Sequence, residues 1–115
     1  CSQDFTDAPG YITSPQYPGP YIANSHCVWR IIAPENYVIR LDILDMRLQD
    51  HVTCAKDYVA VHDGSDVASP LIGRYCGFIH PELIESTSNH MTILFHSDAQ
   101  FHKRGLKALY RFLKG

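Results

Sequence analysis

The stretch "LQDHVTCAKDYVAVHDG", Leu48 to Gly64, decides how the rest of the chain is to be understood. Its second half alternates: Val59 and Val61 take one side, Ala60 and His62 the other, and Asp63-Gly64 turns the chain. That is the pattern of a half-buried strand closed by a turn. Its first half crowds Asp50, His51, Cys54 and Asp57 together. Those residue types suit a metal site, a disulfide corner or part of an active site.

The same alternation recurs in four other places. In "CVWRII", Cys27, Trp29 and Ile31 share one face against Val28, Arg30 and Ile32; in "YVIRLDIL", Ile39, Leu41 and Ile43 oppose Arg40 and Asp42. "HMTILFHSD" sets Met91, Ile93 and Phe95 against His90, Thr92 and His96. "GLKALYRFL" sets Leu106, Ala108, Tyr110 and Phe112 against Lys107 and Arg111. Turn formers separate these runs at 34–36, 63–66, 69–70, 76–77 and 105. Prolines at 9, 15, 18 and 20 exclude a helix or a central strand from the first quarter. "HPELIES", His80 to Ser86, has room for one helical turn at most. Short strands with one apolar face each predict an all-β antiparallel β-sandwich, one domain over residues 1–115.

The chain has 115 residues, 45% hydrophobic and 19% charged, with a net charge of −2 when histidines are neutral. This is a globular composition, long enough to bury a core. No basic stripe suits nucleic acid; the basic residues from Lys103 to Lys114 alternate with apolar ones, as on the wet face of a strand. No apolar run approaches the roughly 18 residues that would span a membrane, so no membrane insertion is expected. The chain starts at Cys1, as expected of a piece cut from a larger precursor. Cysteines at 1, 27, 54 and 76 have no CxxC spacing and predict two disulfides in an oxidising, extracellular setting rather than a zinc knuckle. Three pairings are open. The sequential one closes the shortest loops, each contributing about 3–4 kcal/mol.

In order along the chain stand "SPQYPGPY", "CVWRI", "CAKDYVAVHDG", "GRYCG", "FHSD" and "GLKALY". These blocks, in sequence and in register, resemble the CUB domain from one end of the chain to the other. The resemblance implies a jelly-roll-like sandwich and the pairings Cys1–Cys27 and Cys54–Cys76. It also implies a non-catalytic extracellular module of protein recognition. Such modules occur in complement-type and tolloid-type proteases, endocytic receptors, growth factors and seminal-plasma adhesins, most often beside neighbouring domains of a larger protein.

The resemblance further implies a calcium site. Carried over residue by residue, Gln49, Asp57 and Asp98 fall where the family has side-chain donors, and Gln100 where backbone oxygens complete the shell. Tyr21 falls where a family tyrosine buttresses the acidic groups. Calcium takes about six to eight hard oxygens, and acidic oxygens around it accept a lysine or arginine from another extracellular protein. That makes Asp98, Asp57, Tyr21 and Phe101, the hydrophobe beside the "SD" loop, the candidate partner-binding residues. Gln49 stands where the family has Glu and brings no charge, while Asp50 would point to the opposite face of a strand. Two expectations follow. Either calcium organises these loops for protein recognition, or Asp57 and Asp98 cap turns in a structural or autoinhibitory module packed on a neighbouring domain.

Histidines at 26, 51, 62, 80, 90, 96 and 102 raise zinc and a pH switch of partner binding. His90 and His96 share a strand face six residues apart, roughly 20 Å by strand rise and too far for one ion. His51 with Asp50 or Asp57 is left as the zinc candidate, and the wet face of a sheet is the plainer place for such residues. Ser97 and Asp98 with His96 or His102 lack a nucleophile elbow, so no catalysis is expected. Trp29 belongs in the core. Tyr11, Tyr17 and Tyr21 either form a binding surface or pack on the sandwich end. No Asn-x-Ser/Thr sequon occurs, so no N-glycan is expected.

Overall fold

In the computed structural model, residues 1–48, 53–78, 81, 83–98 and 105–115 are described. Among them the chain forms nine strands and no helix: β1 (Gln3–Phe5), β2 (Gly10–Thr13), β3 (His26–Ile32), β4 (Tyr37–Arg47), β5 (Tyr58–His62), β6 (Leu71–Tyr75), β7 (Ile84–Glu85), β8 (His90–His96) and β9 (Gly105–Lys114). They make a five-stranded sheet in the order β1-β3-β8-β5-β6 and a four-stranded sheet in the order β2-β9-β4-β7. The inner faces meet in one core, to which Trp29, Ile31, Val59, Val61, Met91, Ile93 and Phe95 contribute from the first sheet. Ile12, Ile39, Leu41, Ile43, Leu106, Ala108 and Tyr110 contribute from the second. Each period-two run in the sequence sits in a strand with its apolar set inward. Burial of that set is what holds register, because a one-residue slip would turn every side chain to the other face.

Two elements depart from the expected pattern. Not every pairing is antiparallel, since β1 runs parallel to β3 with Gln3 beside Trp29. The Cys1–Cys27 disulfide joins the starts of both segments, with Cα atoms 5.3 Å apart, so the two chains leave it in the same direction. Trp29 Nε1 donating to Cys1 O at 2.9 Å and Val28 N donating to Ser2 Oγ at 3.0 Å reinforce that start. The described part of "HPELIES" forms the two-residue β7 instead of a helical turn. Ile84 is fully buried opposite Leu41. Ser86 locks the extended backbone, its Oγ accepting from Ile39 N at 2.8 Å and its N donating to Ile39 O at 2.9 Å.

The second disulfide, Cys54–Cys76, ties the approach to β5 to the exit of β6 with Cα atoms 5.5 Å apart. The 63–70 loop folds over the outer face of the five-stranded sheet. Its Gly64 O accepts from Thr92 Oγ1 at 2.9 Å and its Ser65 O from Arg30 Nε at 3.1 Å. Thr92 is thereby buried, while at the opposite end of that face Tyr58 and His96 are half-buried and His26 is exposed.

Candidate cation and partner site

The open end of the sandwich is where β5 starts and β3 starts while β8 ends, since Tyr58 and His26 both pair with His96. Asp57 and Asp98 therefore leave neighbouring strands at one level, although 41 residues separate them in the chain. Asp57 is held by what precedes it. Cys54 takes a left-handed backbone (φ 52°), and its disulfide to the buried Cys76 pins the turn.

Asp57 itself is fully buried. Its Oδ2 accepts the hydroxyl of Tyr21, and its Oδ1 accepts the backbone N–H of Asp98 at 2.9 Å. The Tyr21 ring, also fully buried, meets Phe95 edge-on with centroids 5.7 Å apart, which fixes where the hydroxyl points. Asp98 keeps its side chain exposed. An ionised carboxylate has about four acceptor positions; two of Asp57's are occupied, and among the described residues no ion pair reaches it. A buried charge in that condition is costly unless further compensated.

The segment after Tyr21 clamps the second loop. Ser97 is buried, its Oγ donating to Ile22 O at 2.6 Å and accepting from Ser25 N at 2.9 Å, while its N donates to Ser25 O at 3.1 Å. Ser25 Oγ adds a bond to Ile22 O at 2.8 Å. Residues 21–25 are thus a hub that grips Asp57 with one side chain and the start of the Asp98 loop with the next turn. The sequence around Ser97 has no nucleophile elbow and names no other role for it. A small hydroxyl residue directly after an apolar strand was the available signal. Its hydroxyl serves the hub, and the ring of its neighbour His96 stacks on Tyr58 instead.

Of the sequence candidates, Tyr21, Asp57 and Asp98 come together. Gln49, Gln100 and Phe101 lie outside the described residues, as do Asp50, His51 and His102. Tyr21 and Asp57 offer no surface to a partner directly, because both are fully buried; any part they take in partner binding is through the loops they hold. Ile22, 44% exposed beside this hub, is an apolar contact surface that the sequence did not single out. Tyr11 is 60% exposed under the Lys107 ammonium, 4.9 Å from its ring centre. Tyr17 donates to Asp45 Oδ2 at 2.5 Å. The three tyrosines of the proline-rich segment therefore do not form one surface. Among the described residues no group of three or more His, Cys, Asp or Glu side chains converges on a common point. No helix among them is long and apolar enough to cross a membrane.

The family model "CUB domain" matches residues 1–110. A bone morphogenetic protein 1 homolog of Strongylocentrotus purpuratus is 44% identical over 86% of this chain, and the chain spans 16% of that relative's length. The crystal structure of the MASP-1 CUB2 domain bound to Ca2+ superposes with a TM-score of 0.85 at 36% identity, covering 96% of this chain and 99% of that one. The full extracellular region of zebrafish Gpr126/Adgrg6 superposes with a TM-score of 0.89 at 30% identity, covering all of this chain and 15% of that one.

Proposed function

The chain belongs to the CUB domain family, and on that footing we propose that it is an extracellular, non-catalytic module that recognises another protein through the Tyr21–Asp57–Asp98 end. Membership supports the coarse part, since domains of this family are generally non-catalytic modules of proteases and receptors. The finer part is that a calcium ion is held by Asp57 and Asp98, with Gln49 and Gln100 as further oxygen donors. One observation carries it: a buried carboxylate with acceptor positions to spare is bonded to the backbone of the very loop that bears a second, exposed carboxylate.

The donor set fits the ion. Calcium favours carboxylate, amide and backbone oxygens drawn from several loops, and a dication offsets the charge that Asp57 buries. When bound it supplies positive charge that holds the two acidic loops against their mutual repulsion. Tyr21 orients the inner carboxylate, and the Ser97 clamp sets the exit of the Asp98 loop. Asp98 then faces solvent as acceptor for a partner's lysine or arginine, with Ile22 as apolar contact beside it. The calcium-bound MASP-1 domain supports the reading by likeness.

Melting in chelator against millimolar calcium is the first test. Affinity at the weak extracellular end, about 10⁻⁴–10⁻³ M, gives about 1.4 kcal/mol at tenfold excess over Kd. For a domain this size that raises Tm by roughly 5 °C. Asp98→Ala is expected to abolish the rise and to weaken partner binding while making the remainder insensitive to chelator. The competing reading, a structural or autoinhibitory module packed on a neighbouring domain, draws on Asp57 already bonding a loop amide. A melting temperature unmoved by calcium would select it.

A further inference from the structure

The outer face of the five-stranded sheet carries a row of rings at the same end as the acidic loops. β3 and β8 pair so that His26 lies directly opposite His96, and β5 places Tyr58 on the other side of His96. Directly opposed residues in antiparallel strands have Cβ atoms about 4.5–5.5 Å apart and project from the same face. The His96 ring stacks on Tyr58, centroids 5.0 Å apart and planes 30° from parallel. The Arg74 guanidinium caps Tyr58 at 4.1 Å from its ring centre. On the free side of His96 stands the exposed His26, ring centroids 6.4 Å apart and planes at 82°.

From this row we infer that His26 and His96 form a binding site for a borderline divalent transition ion, copper(II) or zinc, one per chain. An ion about 2.0–2.1 Å from one nitrogen of each ring puts the ring centres roughly 4.5–6.5 Å apart, according to the angle the two nitrogens make at the metal. The observed pair, 6.4 Å apart with its planes at 82°, sits at the wide end of that range, and a turn of one ring is what brings a nitrogen of each to a single ion. Stacking on Tyr58 holds His96 in place, and His26, at the exposed start of β3, supplies the movement. The strand pairing has already brought the two ligands together, so little ordering remains to be done on binding. Two imidazoles leave the other coordination positions to water.

Ligand chemistry separates this site from the acidic end although His96 and Asp98 are two residues apart. Imidazole suits copper, zinc and nickel, with copper(II) bound most tightly in that order of metals; calcium takes oxygens. The Arg74 charge lies at the far end of the row, beyond Tyr58, and opposes the ion least there. Comparing histidines along one strand misses this pair. His90 and His96 share a strand but not a site, whereas the ladder between β3 and β8 makes neighbours of residues 70 positions apart (96 − 26).

Copper(II) titration of the 115-residue chain in millimolar calcium tests the site, with calorimetry for affinity and electron paramagnetic resonance for nitrogen coordination. The expected result is a tightest class of one ion per chain with two nitrogen ligands. His26→Ala and His96→Ala each weaken it at least tenfold, since loss of groups that merely orient a ligand already costs about 10–100-fold. His62→Ala is expected to leave it unchanged, because His62 Nδ1 lies 2.9 Å from Ser69 O at the other end of β5. Either histidine variant binding copper as the parent does overturns the proposal, and so does displacement of copper by calcium. Should His96→Ala fail to fold after losing its stack, the exposed His26 decides alone, through both His26→Ala and His26→Gln.

Discussion

Two aspartates bracket β5, Asp57 just before Tyr58 and Asp63 just after His62, and the protein uses them in opposite ways. Asp63 is half-exposed and ties its loop to the one before β8: its Oδ1 accepts from Thr87 N at 2.9 Å and its Oδ2 from Thr87 Oγ1 at 2.7 Å, with water free to reach the rest of the carboxylate. Asp66 nearby does the same for its own loop, accepting from Ala68 N at 2.9 Å. Asp57 is buried, bonded to a buried tyrosine and to the amide of a second aspartate, and the hub behind it is built from Tyr21, Ile22, Ser25 and Ser97. A turn needs an acceptor at the surface, where water covers any shortfall. Burying a carboxylate beside another acidic loop costs stability unless something positive completes it. On the proposed reading, this contrast between the two ends of β5 is what favours the Asp57 end for a cation.

The largest expected effect follows from removing the buried member. Asp57→Ala removes the carboxylate that accepts from the buried Tyr21 hydroxyl and from the part-buried Asp98 N–H. At about 1–3 kcal/mol for each such group, the expected loss is about 3 kcal/mol, a large share of a domain's stability. Urea unfolding measures it, and the calcium increment should vanish with it. A loss below about 1 kcal/mol would mean the Asp57 clasp does not hold this end. Asp57→Asn then isolates the charge, keeping an acceptor while removing the carboxylate.

How much of this was legible in the sequence depends on the range of the signal. Alternation placed Trp29, Ile39, Val59, Met91 and Ala108 inward, because a strand's side-chain period is local and each of those runs spans several residues. β1 and β7, with three and two residues, are too short to show a period; one is set by a disulfide and the other by the burial of Ile84. Tyr21 and Asp57, 36 residues apart, were joined only through the resemblance, since nothing local in either segment points at the other. The His26–His96 pair and the Ser97–Ile22 bond depend on register between distant strands, which periodicity does not encode.

A middle-sized effect sharpens the contrast from the other end. Asp63→Ala removes both bonds to Thr87, partly exposed to water, and is expected to cost about 1 kcal/mol. The full calcium-dependent rise in Tm should remain. Thermal melts with chelator and with calcium check both statements at once. Loss of the calcium response in Asp63→Ala would break the comparison, because the two ends would then not be independent.

The smallest effect discriminates most finely. Asp66 and Asp98 are both exposed aspartates, and replacing either by alanine makes the same change to a chain of net charge −2. If calcium were merely attracted to an acidic protein, Asp66→Ala and Asp98→Ala would weaken its effect alike. Charges separated by more than about 8 Å are largely screened at physiological salt, and these two aspartates stand at opposite ends of β5 in a molecule 40 Å long. Asp66→Ala gives up the exposed bond to Ala68 N and is therefore expected to cost about 0.5 kcal/mol, the low end for one hydrogen bond, and to keep the whole calcium increment. Asp98→Ala, equal in charge and exposure, is expected to lose the increment. Matched calcium titrations of the two variants, followed by melting, separate coordination at one end of the sandwich from the field of the molecule as a whole.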